Sequence, residues 1–189
     1  MTKARTSPLP VVAIVGWKKS GKTTLATALV SELTARGHQV ATIKHAHHKF
    51  QIDEGHTDSA RHRRAGARQV YIVSPERVAM VKELAGAREP DLWEVVAALD
   101  PCDLVIVEGY KSANVAKIEV RRLEAASRRP LAPDDPNVLA IAADHAVTGL
   151  DLPVFDLGDV ANIASFIERA LLADERLSGR PAGAGGDLS

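Results

Sequence analysis

The chain has 189 residues, 46% hydrophobic and 25% charged, with 24 Lys and Arg against 24 Asp and Glu, which suits one ordinary globular core and excludes a global electrostatic pull toward nucleic acid or anionic membrane. Two Trp, two Tyr and three Phe offer little for stacking bases, and a single cysteine, Cys102, cannot close an internal disulfide, which fits a reducing compartment. No apolar run approaches the roughly 18 residues needed to span a bilayer, and "MTKARTSPLP" leads into the first apolar run without a signal-like core, so the expected location is cytoplasmic, with no membrane or nucleic-acid partner.

Short apolar runs rich in β-branched residues recur at 11–15, 40–43, 70–73, 104–107, 138–142 and 154–155. Such uniformly apolar runs predict strands buried on both faces of a parallel sheet. Helical spacing links several of them: Leu25, Leu29 and Leu33 end at Gly37, and Leu92, Val95, Val96 and Leu99 end before Pro101. Val160, Ile163, Ala164, Phe166, Ile167, Ala170 and Leu171 mark a third helix. Strand alternating with helix predicts an α/β fold, a mostly parallel central sheet flanked by helices in three layers. It is expected as one domain over residues 1–173, with a disordered tail over 174–189. Residues 44–68 are polar, charged and histidine-rich, too long for an ordinary connection, and residues 121–137 read as a charged helix or loop followed by a Pro/Asp turn region.

Between the first strand and its helix stands Gly16-Trp17-Lys18-Lys19-Ser20-Gly21-Lys22-Thr23, two glycines five apart followed by Lys and Thr. This is the phosphate-loop pattern. A phosphate chain is wrapped by backbone N–H groups, so glycine is needed where a side chain would collide or φ must be positive. The helix starting near Gly21 aims its free N–H groups and positive dipole end at the anion. Lys22 adds a charge for the terminal phosphates, and the Thr23 hydroxyl can ligate a bridging Mg2+.

Ligands in open α/β sheets bind beyond the carboxyl ends of the strands. In "CDLVIVEGY", Glu108 follows the apolar run and is the candidate magnesium-side acid, whereas Asp103 precedes the run and reads as a turn cap; a solvated strand-end carboxylate is the alternative for Glu108. The second strand exits at Lys44 and His45. "VLAIAADHA" exits at Asp144, which could accept from N1–H and the exocyclic amine of guanine or simply end a strand; Asn-Lys-x-Asp is absent. Histidines 45, 47, 48, 56 and 62 crowd eighteen residues together with Asp53, Glu54 and Asp58. Without a cysteine pair or clean His-x3-His spacing, a polar loop closing over an anion beside Arg61, Arg63 and Arg64 is preferred to a zinc site, with a solvated basic helix face as the alternative.

"GWKKSGKTTL", "TIKHAHHKFQID" with "GHTDSARHRRAGA", and "DLVIVEGYK" together resemble the molybdopterin-guanine dinucleotide biosynthesis adapter family, MobB, over residues 11 to about 145. The resemblance implies a cytoplasmic, homodimeric phosphate-loop protein that binds GTP with Mg2+ and has weak GTPase activity. It would assist the molybdenum cofactor guanylyltransferase that attaches GMP to molybdopterin, among other molybdopterin-handling enzymes. Carried over, Gly16 to Thr24 (with Lys18, Lys19, Ser20, Gly21, Lys22 and Thr23) would hold the phosphates. Asp58 and Glu108 would sit near Mg2+ as the catalytic pair, with Thr23 as a further metal ligand, and the segment from Lys44 and His45 through Arg61 to Arg64 would shape the site or the subunit contact.

One departure concerns mechanism. Phosphate-loop NTPases that hydrolyse across a dimer often carry a second lysine five positions before the loop lysine, and here that place holds Trp17. No clear water-orienting glutamine follows the magnesium acid, so a slow or partner-stimulated reaction is expected. The alternative function is a small-molecule kinase in which Arg121, Arg122, Arg128 and Arg129 form a phosphate-gripping lid.

Overall fold

The computed structural model describes residues 9–46, 52, 55 and 57–173. His47, His48, Asp53, Glu54 and His56 of the histidine-rich stretch, and the expected tail over 174–189, lie outside the described residues. The chain divides into two compact units, Met1–His45 with Ala98–Ser189, and Ala46–Ala97.

The first unit holds a six-stranded sheet. Its strands are β1 (Val11–Gly16), β2 (Val40–Lys44), β5 (Leu104–Glu108), β6 (Ala116–Arg121), β7 (Val138–Ala143) and β8 (Val154–Asp156), in the order β2-β5-β1-β6-β7-β8. Every pairing is parallel. β1 is central and buried at all six positions, so its apolar run is explained by neighbours on both edges and both faces. Helix α1 (Lys22–Ala35) turns Leu25, Leu29 and Leu33 onto the sheet, where they join Val12, Ile14, Leu104, Ile106 and Ile118 in one core. It stops at Gly37, φ 91°, whose N–H bonds Thr34 O while His38 N–H bonds Leu33 O, the paired closure that glycine permits at a helix end. Helix α4 (Val160–Ile167) contributes Ile163, Ala164 and Ile167 to the same core and continues into a wider π-helical turn, Glu168–Leu172. Asp103 sits at the amino end of β5, its carboxylate accepting from Gln39 N–H at 2.7 Å.

β6 is a strand that the sequence reading did not identify, and its last residue, Arg121, corrects the assignment of 121–137 as beginning a helix or loop. Lys117 and Glu119 interrupt its apolar pattern, yet both are buried: Lys117 pairs with Asp135 at 2.5 Å, and Glu119 accepts from Arg121 Nη2 at 2.7 Å and from Leu131 and Ala132 N–H at 2.8 and 3.0 Å. A charge fully partnered in this way can occupy a central strand.

The second unit corrects the assignment of 70–73. Instead of joining the parallel sheet, β3 (Gln69–Val73) pairs antiparallel with β4 (Val78–Lys82), a strand absent from the sequence reading. Val70 is buried, as is Ala60 of α2 (Asp58–Arg64), which packs against β3. Tyr71, Val73, Val78 and Met80, which share the other face by register, are exposed. Short apolar runs do not distinguish a doubly buried strand from a hairpin strand with an exposed apolar face. Helix α3 (Leu92–Ala97) completes this unit.

Candidate functional site

The loop between β1 and α1 is shaped by three special conformations: Gly16 at φ 151°, Lys19 at 66° and Gly21 at 92°. A side chain at position 16 would meet Val120 O at 2.5 Å and Ser20 Oγ at 2.6 Å, so the close approach of β6 requires glycine there. Gly21 caps α1 in the left-handed region with no side-chain cap, and the first turn holds no acidic residue, so the helix itself supplies nothing to offset its N–H groups and positive dipole end.

Lys22 reaches back to Trp17 O at 2.8 Å, and the same carbonyl receives Ser20 N–H at 3.1 Å. Ser20 is buried, with its hydroxyl beneath Gly16. Burial and then repulsion from Lys111 and Lys44 push the Lys22 ammonium below the usual lysine range, against the attraction of Glu108. Thr23 Oγ1 donates to Glu108 Oε1 at 2.8 Å, and Lys44 Nζ lies 3.3 Å from Glu108 Oε2. The structure therefore gathers Lys22, Thr23, Glu108 and Lys44 at one end of β1, β2 and β5. His45 follows, donating its N–H to Glu108 O at 3.0 Å and stacking its ring near Tyr110. Lys18 O accepts from Ala126 N–H at 2.9 Å.

A cleft of about 560 Å3 is lined by Lys19, Gly21, Lys22, Thr23, Thr24, Arg122 and Glu124. Arg122, one of the four arginines read as a phosphate-gripping lid, lines this cleft, whereas Glu124 was missed, because its position follows from β6. Asp144, at the end of β7, accepts from His145 Nδ1 at 2.8 Å, Leu123 N–H at 3.1 Å and Arg122 Nε at 3.5 Å. The His145 bond first, with Leu123 and Arg122, holds its carboxyl below the usual aspartate range despite partial burial. Asp58 and Arg61 lie on α2 in the second unit, 3.4 Å apart and both exposed. Among the described residues, no group of three or more His, Cys, Asp or Glu could hold a metal ion.

For Mg2+ the donor set is suitable: a hydroxyl and a carboxylate oxygen within 2.8 Å, beside a lysine and a glycine-shaped loop. A central parallel strand feeding such a loop into a helix, with an acid from the next strand facing its threonine, places this chain in the phosphate-loop NTPase class. The comparisons agree. A family model described as "Molybdopterin guanine dinucleotide synthesis protein B" matches residues 11–144. The molybdopterin-guanine dinucleotide biosynthesis adapter protein of Escherichia coli (strain K12) is 36% identical over 161 residues, 84% of this chain and 91% of its own length. That of Haemophilus influenzae is 37% identical over 163 residues, 86% and 90% of the two chains. A solved structure of molybdopterin-guanine biosynthesis protein B, 30% identical, matches 85% of this chain and 99% of its own with a TM-score of 0.65. Bacillus subtilis MobB, at 21% identity and a TM-score of 0.67, shares the fold. The chain belongs to the MobB family.

Proposed function

We propose that this protein is a GTP-binding adapter in molybdenum-cofactor biosynthesis that assists the guanylyltransferase joining GMP to molybdopterin, and other enzymes that handle molybdopterin. The observation that carries the reading is the Thr23–Glu108 pair beside Lys22 at the mouth of the loop. The names of the relatives supply the pathway. Lys22 and the α1 amides would bind the phosphates, while Thr23 and Glu108 would hold Mg2+, which when bound neutralises charge on the phosphate oxygens. Asp144 is the proposed guanine reader, exchanging its bonds to His145 and Leu123 for the base's N1–H and amine. Hydrolysis would be slow or partner-stimulated, since no clear water-orienting glutamine follows Glu108 in the sequence.

Several features support this reading over the kinase alternative. Arg121 is tied to Glu119, Arg128 to Leu123 O and Arg129 to Asp134, so of the four lid arginines Arg122 alone lines the large cleft among the described residues. The exposed apolar face of the β3–β4 hairpin supports a homodimer. Calorimetric titration with GTP and ATP, with and without Mg2+, tests the proposal: GTP should bind more tightly than ATP, Mg2+ should strengthen it, and Asp144→Asn should erode the preference. Equal binding of GTP and ATP, together with failure to associate with the guanylyltransferase, would overturn it.

A further inference from the structure

Trp17 occupies the place of the second lysine found in phosphate-loop NTPases that hydrolyse across a dimer. Its indole is anchored, Nε1 donating to Arg129 O at 2.6 Å. The Lys111 ammonium lies over the ring, 3.8 Å from the centroid, within the distance at which the ring face attracts a cation. Lys111 arrives there from the exit of β5, where Gly109 at φ 101° and Tyr110 at φ 52° turn the chain, and the Tyr110 ring is set 4.5 Å from that of His45. Lys111 is also close enough to Lys22 to lower its proton affinity, and burial lowers that of Lys111 itself.

Lys22 thus has two ammonium neighbours at the loop, Lys44 and Lys111, and one carboxylate, Glu108. Lys22 has the Trp17 carbonyl and Lys44 has Glu108, whereas among the described residues Lys111 has only an aromatic face. A cation on a ring is held more weakly than one making a charge-assisted bond to a phosphate oxygen. We propose that Lys111 supplies from the β5 exit the cation that position 17 lacks, resting on Trp17 and moving onto the terminal phosphate when a nucleoside triphosphate binds. The proposal rests on the nucleotide-binding reading above and adds a means of distinguishing triphosphate from diphosphate: with GDP there is no γ-phosphate oxygen for the ammonium to move to, and it stays on the ring.

The test uses the full chain carrying Trp93→Phe, which removes a half-exposed indole from the second unit and leaves Trp17 as the sole tryptophan. With Mg2+ present, GTP should change Trp17 emission and GDP should not. In calorimetry, adding Lys111→Ala should weaken GTP about tenfold while GDP stays within about twofold. Adding Trp17→Lys to that variant should restore most of the GTP affinity. Equal weakening of both nucleotides, or unchanged GTP affinity, would overturn the proposal and leave nucleotide binding standing. If neither nucleotide binds the Trp93→Phe parent, the nucleotide-binding reading fails, and this inference with it.

Discussion

Lys22 is held in place by its own loop, with its ammonium on the Trp17 carbonyl and burial and neighbouring lysines lowering its proton affinity. A bound polyphosphate relieves that repulsion, so Lys22→Ala should cost roughly 1.5–3 kcal/mol, about ten- to a hundredfold in nucleotide affinity by calorimetry, with an unchanged circular dichroism spectrum. Glu108→Gln should act differently, because it keeps an oxygen for Thr23 but removes the charge facing a metal. It should reduce Mg2+-dependent hydrolysis more than GTP binding; a larger loss of binding than of turnover would remove Glu108 from the metal site. These residues were legible in the sequence because the loop pattern fixes Lys22 and Thr23, and strand polarity selects Glu108 over Asp103. Glu124 and Lys111 were not: one depends on an unrecognised strand, the other on a turn whose direction no periodicity encodes.

Between α1 and α4 the fold is fastened by charge as well as by apolar contact. Arg36 donates to Glu32, Ser165, Glu168 and Ala161 O, and His38 Nε2 lies 2.8 Å from the Glu168 carboxylate. Burial would raise the Glu168 carboxyl, but bonds from His38 and Arg36 outweigh it and hold the group below its ordinary 4.5. A lowered folded value means the unfolded chain takes up the proton first on acidification. The stabilisation is therefore complete above the ordinary value and is lost as pH falls below it toward the depressed one. Glu168→Gln should lower the melting temperature by about 2–4 °C at neutral pH, with the difference from the parent shrinking in acid. The two helices were readable, α1 from its leucine spacing and terminal glycine and α4 from the apolar spacing of Val160 to Leu171, but not the clamp between them, whose partners are more than a hundred positions apart. Likewise β1 and β7 show in the sequence as unbroken apolar runs, whereas β6 is obscured by the buried Lys117 and Glu119, whose partners are known only once the chain has folded.

For the molecule as a whole, the β3–β4 hairpin is the feature that an isolated copy explains least. Tyr71, Val73, Val78 and Met80 present a continuous apolar strip to solvent on one face, and such strips mark association surfaces. Sedimentation of the wild type should give a dimer, and Val73→Lys with Val78→Glu should give a folded monomer; a monomeric wild type would exclude the hairpin as a subunit contact. The sequence showed the parallel architecture from its alternating runs but placed 70–73 inside it, since composition alone does not say which apolar surface waits for a partner.

The loop is also tied to its overhang. Ala126 N–H bonds Lys18 O, the Trp17 indole bonds Arg129 O, and Gly16 lies against Val120 O with no room for a methyl group. The loop and the stretch that follows β6 are thus riveted at three points, so neither can shift far without straining the other.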